Sequence, residues 1–169
     1  MKRFFFVFLL TVILFSCATT GNKTGISLQE ATNKAAKEIA DELLPNSRVA
    51  IVAFESANDN LSEYIMEELN AELLKYKVTV VDRQNIQHIQ QELNFQMSGY
   101  VNDTSAQSIG KFLGATAVIT GQLIDLDAVY RYRVSVIYIE EGRRGMIIRH
   151  DVQKNQAMLS LINTFGNKR

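Results

Sequence analysis

The chain has 169 residues, room for one domain and hardly two. Hydrophobic residues make up 47% and charged residues 21%, a balance that excludes a disordered or low-complexity protein. Lys+Arg and Asp+Glu both number 18, so no basic excess points to nucleic acid, and a single cysteine excludes an internal disulfide framework.

The N-terminus is the most legible segment. Met1-Lys2-Arg3 is a short positive stretch, and residues 4–15 form an apolar run broken only by Thr11. A run of about 12 apolar residues is too short to span a hydrocarbon core, which takes roughly 20, but has the size of an export-signal core. Leu14-Phe15-Ser16-Cys17 follows and resembles the lipobox of bacterial lipoproteins. That resemblance implies a signal peptide over 1–16, cleavage before Cys17, and lipidation of its thiol by diacylglycerol, with palmitate-type chains. Two or three acyl chains hold a protein stably on a membrane where one is marginal. Residue 18 is Ala and not Asp, which in lipoproteins of the enteric type favours the outer membrane. Residues 17–26 then read as the lipidated cysteine and a short polar tether, about 30 Å long when extended.

Ser27 with Glu30 forms a capping box, opening a helix to about residue 44 with Leu28, Ala31, Ala35, Ile39 and Leu43 near one face. Pro45-Asn46 ends it. Residues 48–54 (RVAIVAF) form a nearly continuous β-branched run, the mark of a strand covered on both faces. Asn60 and Glu63 repeat the capping pattern ahead of a helix carrying Leu61, Ile65, Leu69 and Leu73. Residues 77–81 (KVTVV) give a second strand, so the first strands form a parallel βαβ unit with a right-handed crossover. Asp82 caps a third helix with Ile86, Ile89 and Leu93 inward, followed by a loop over 95–103. Thr104 and Gln107 predict a capping box for a short helix closing at Leu113-Gly114. Three strand-like runs follow at 115–125, 129–139 and 144–152, joined by hairpin turns, and a last helix spans about 153–163. The expected fold is one α/β (α+β) domain over 27–169. Its mixed sheet starts as a parallel βαβ unit and continues as an antiparallel three-strand meander, with helices packed on it.

A catalytic constellation is missing from this pattern. His88 lies on the polar side of the third helix and His150 beside Arg149 and Asp151 in the last strand, each with a surface role as the better reading. No HExxH or CxxC occurs, so no metal site is expected. Gly110-Lys111 lacks the upstream glycine and the following Ser or Thr of a phosphate loop. Cys17, given to lipid, leaves no thiol nucleophile. The reading is a non-enzymatic protein without cofactors.

Partner contacts have two candidate sources. In the 129–139 strand Tyr130, Tyr132 and Tyr138 alternate with Arg131 and Arg133, placing tyrosines on one face and arginines on the other. Tyr and Arg are favoured at interfaces, against the plainer reading of tyrosines under a helix and arginines in solvent. The loop holding Phe95, Met97 and Tyr100 is the second candidate, since apolar side chains on loops are often used for binding.

The run VDRQN at 81–85, QEL at 91–93, SG at 98–99, SAQSIGKFLGA at 105–115 and TG at 120–121 resembles the CsgG/LpoB-like lipoproteins. That superfamily includes curli secretion channels and outer-membrane activators of penicillin-binding proteins. The resemblance covers about residues 48–139. It implies an anticodon-binding-domain-like α/β fold, no catalysis, and action by binding a protein partner or by forming a pore. The chain lacks the spare pair of alternating ~10-residue strands that a self-made pore hairpin needs. The primary expectation is therefore a lipid-anchored, periplasm-facing outer-membrane protein of the cell envelope that regulates peptidoglycan synthesis by binding a penicillin-binding protein. The alternative is a CsgG-like component of an outer-membrane secretion or assembly complex, in which this chain would be a homo-oligomer. A hydrolase is a distant third.

Overall fold

The structure is a computed structural model describing residues 25–82, 103–141 and 143–166. Its centre is β1 (Arg48–Glu55), whose apolar run is buried from Val49 to Val52 as the sequence requires of a strand covered on both faces. β1 pairs in parallel with β2 (Thr79–Val80) on one side and β3 (Ala117–Leu126) on the other. β3, β4 (Val129–Tyr138) and β5 (Arg143–Gln153) form an antiparallel meander. The 5-stranded sheet runs β2-β1-β3-β4-β5, which is the mixed sheet expected from the sequence.

On one face lie α1 (Leu28–Glu42), α2 (Asp59–Lys75) and α4 (Gln156–Gly166). Ala31, Ala35 and Ile39 of α1 and Leu61, Ile65, Leu69 and Leu73 of α2 meet Val49, Ile119, Tyr132, Val134 and Ile148 in the main core. Among the described residues one helix, α3 (Asp103–Phe112), covers part of the other face. Ala106 and Ile109 pack there on Ala50, Val118, Ile137 and Ile139.

Local chemistry sets the element ends, and it departs from expectation at several. Ser27 does cap α1, its Oγ accepting from Glu30 N at 3.1 Å. For α2 the cap is Asn58, whose Oδ1 accepts from Leu61 N at 2.9 Å; Asn60 instead lies inside the helix and donates to Phe165 O at 3.0 Å. Thr104 lies in the first turn of α3, because the helix starts one residue earlier, and its carbonyl accepts from Ser108 Oγ. Asn155 caps α4 through Met158 N at 2.9 Å, moving the last helix three residues beyond its predicted start. β2 is two residues rather than five; Lys77 takes a left-handed φ of 61°, which an extended strand does not tolerate. The predicted third helix and the 95–103 loop fall mostly outside the described residues.

Residues 25 and 26, expected in the tether, lie against β5. Ile26 forms a parallel bridge with Val152, its N donating to Asp151 O at 2.8 Å and its O accepting from Gln153 N at 2.9 Å. Gly25 precedes it with φ +100°, and any Cβ there would lie 2.8 Å from Asp151 O. These two residues are part of the sheet edge rather than free chain.

Candidate partner-binding face

β4 divides its side chains by alternation, as every strand does. Tyr130, Tyr132, Val134 and Val136 enter the main core; Arg131 and Arg133 turn to the opposite face. The tyrosines therefore take the plainer of their two readings. Tyr132 is fully buried, its ring 5.4 Å from that of Phe54, and has no surface to offer a partner. Burial pushes its hydroxyl well above the ordinary phenol range. Its oxygen lies near Thr32, but Thr32 Oγ1 donates to Leu28 O at 3.0 Å, and no group among the described residues meets the phenol with hydrogen-bond geometry. Tyr130 is buried at the sheet end beneath Lys154, whose Nζ lies 4.8 Å from the ring centre. Lys154 also pairs with Asp125, which raises the lysine's pKa.

The arginine face is different. Past the edge of α3, the register aligns Glu55, Gln122, Arg133 and Arg149 in one row across β1, β3, β4 and β5. The next row places Ile124, Arg131 and Asp151 side by side. Ile147 stands opposite Ser135 on the same face. Arg131 is held by Asp151 in a two-pronged pair, Nε to Oδ1 at 2.9 Å and Nη2 to Oδ2 at 3.3 Å, which raises the guanidinium pKa further. Gln122 Nε2 donates to Glu55 Oε2 at 2.9 Å. Arg133 has no such partner: among the described residues it makes no ion pair, and its buried Nε meets no acceptor. Its cross-strand neighbour is Arg149, a like charge.

Alternation within β4 carries no trace of Gln122 and Arg149, which only the registers of β3 and β5 bring beside Arg133. Counted back from the β4–β5 turn, Ile137 opposite Arg144 would put Ile148 opposite Arg133. A register shift between Val136 and Ile137 moves the pairing by one, and Arg149 arrives there instead. Phe95, Met97, Tyr100, His88 and Cys17 lie outside the described residues. His150 is on the core side of β5, its Nε2 3.1 Å from Glu38 Oε1 of α1 without hydrogen-bond alignment. Among the described residues no group of three His, Cys, Asp or Glu side chains could hold a metal, and no helix is long and apolar enough to cross a membrane.

Comparison with known proteins gives the following likenesses. Residues 58–139, from the cap of α2 to the end of the β4 region, match the model of a family described as peptidoglycan-synthase activator LpoB. The LpoB C-terminal domain from Salmonella enterica superposes with a TM-score of 0.61 at 17% identity, covering 76% of this chain and 96% of that one. The LpoB C-terminal domain from Escherichia coli gives 0.62 at 14% identity, covering 75% and 98%. Lipoprotein GNA1162 from Neisseria meningitidis gives 0.52 at 13% identity, covering 73% and 99%. At these identities the structural matches show a shared fold. No curated protein matches the sequence.

Proposed function

We propose that this chain is a non-enzymatic, membrane-tethered activator of peptidoglycan synthesis that works by binding a penicillin-binding synthase. The observation that carries the reading is the match of residues 58–139 to the synthase-activator model, on a fold shared with LpoB C-terminal domains. The matches fall on the LpoB side of the resemblance rather than the curli-channel side.

Cys17 is the lipid-bearing residue in this reading, and the outer membrane, on its periplasmic side, is where it is held. With Gly25 and Ile26 on β5, the tether in this reading is residues 18–24, whose contour is at most about 25 Å. Such a tether keeps the domain close to the bilayer and raises its effective concentration for anything within that reach. The partner surface is the arginine face of β3–β5, and the loop with Phe95, Met97 and Tyr100 is a second contact. Tyr130 and Tyr132 support this face from beneath.

The experiment is a glycan-polymerisation assay with the penicillin-binding synthases of the source organism, with and without the full lipidated chain. A several-fold rise in the rate of one synthase is the expected result, with direct capture of the same enzyme. No stimulation and no capture would remove the activator reading. A large defined oligomer in mild detergent would replace it with the assembly-component reading. Cys17→Ala should abolish membrane association while leaving stimulation intact in detergent, where tethering confers no advantage.

A further inference from the structure

The row Glu55, Gln122, Arg133, Arg149 contains an electrostatic conflict. Directly opposed residues of antiparallel strands hold their Cβ atoms about 4.5–5.5 Å apart, and like charges there destabilise the sheet. The carboxylates that could relieve it are committed. Asp151 is gripped by both prongs of Arg131. Glu55 accepts from Gln122 and stands two strands from Arg133, roughly 10 Å at the usual strand spacing. Among the described residues neither Arg133 nor Arg149 makes an ion pair, and the Arg133 Nε is buried without an acceptor.

We infer that Arg133 and Arg149 form a two-arginine clamp for a carboxylate side chain on a protein partner. This rests on the activator reading and adds to it the chemistry of the partner: an acidic residue, Asp or Glu, on the synthase. Paired guanidinium groups present planar donor forks that match a carboxylate. The surroundings favour a protein segment over a lipid headgroup. Ile124, 37% exposed, and the partly exposed Ile147 flank the pair, and Gln122 supplies an amide, so the patch is apolar and polar around a central charge. Arg131, two residues along β4 from Arg133 on the same face yet already paired with Asp151, serves as the built-in contrast.

The clamp makes a prediction that a structural role for these arginines does not. Arg133→Glu puts an opposite charge across from Arg149, so the variant should melt at the same temperature as the parent or higher. Its affinity for the synthase should nevertheless fall by roughly tenfold or more, because like charges then meet across the interface. Arg149→Glu should behave likewise, and Lys34→Glu on α1 should leave binding unchanged. Parental affinity in both arginine variants would overturn the clamp. So would a melting temperature that falls together with binding.

A second measurement separates this inference from the activator reading. On the full chain in detergent, the arginine Nε–Hε NMR signals are followed while hexaglutamate is added, with hexalysine as control. Shifts at Arg133 and Arg149 but not at Arg131 are the expected result, whether or not a synthase is ever captured. No shift, or equal shifts at all three, overturns the clamp. Binding to phosphatidylglycerol vesicles that is lost in the Arg133→Glu/Arg149→Glu double variant would also overturn it, assigning the pair to a lipid surface.

Discussion

Neighbouring residues of β4 stand in two environments. On the α1/α2 side, Tyr132 and Val134 are enclosed by helices and the ring of Phe54, and apolar burial determines what is tolerated there. On the other side, among the described residues, α3 covers the end of the sheet near Val118 and Ile137; beyond it Arg131, Arg133 and Arg149 stand in two adjacent rows whose charges are only partly matched. The same backbone thus carries a face selected for packing and a face whose composition packing does not explain. Unmatched charge at the second face is where function is best sought, since a fold selected for stability alone would remove it.

The first way to test this division is to attack the packed side. Tyr132→Ala removes a fully buried ring and should cost about 3–5 kcal/mol, read as a lowered urea midpoint at unchanged slope. Tyr132→Phe removes only a hydroxyl without a partner among the described residues, and should stay within about 1 kcal/mol of the parent. A large loss in the Phe variant would mean that the hydroxyl is bonded after all. The second attack is on α3. Gly110 is fully packed, and a Cβ there would collide with Val118 Cγ1 and Ile139 Cδ1. Gly110→Ala should cost about 1–3 kcal/mol by forcing the helix off the sheet. A neutral result would show that α3 sits loosely and that the second face is open along its whole length.

Most of this division was legible in the sequence. The alternation of tyrosine and arginine along 130–133 gave the two faces, and the β-branched run of β1 gave its central place. Registers were not legible. A shift at Val136/Ile137 decides that Arg149 rather than Ile148 meets Arg133, and nothing local marks it. The cap of α2 was misplaced for a similar reason: Asn58 and Asn60 are both competent caps, and the packing of α2 on the sheet and of Phe165 on Asn60 chooses between them.

A smaller effect is expected where α1 meets α2. Glu72 is buried, yet Lys75 and then Asn33, donating at 2.6 and 2.8 Å, hold its carboxyl below the ordinary carboxylate range. A lowered folded-state pKa means that the charge stabilises the fold above the unfolded value, near 4.3, and that this contribution is lost as pH falls through the folded value. Glu72→Gln should therefore lower stability by about 1 kcal/mol at pH 7 and by less at pH 3, flattening the acid limb of the melting curve. An unchanged acid limb would assign that limb to other carboxylates.

The smallest stability effect is expected at Arg131 and Asp151, whose side chains are 39% and 43% exposed. Ion pairs in that setting are screened and hold two long side chains still, so their net contribution is small. Asp151→Asn should leave the melting temperature within the scatter of the parent. Its consequence should appear in binding, because it frees a third guanidinium beside Arg133 and Arg149. If the face works by attracting carboxylate, Asp151→Asn should tighten capture of an acidic partner and steepen its decline with salt, as added cationic charge does at an interface. Weaker capture in that variant would mean that the Arg131–Asp151 pair is itself part of the contact, and that the partner reads the pattern of charges on this face rather than its excess.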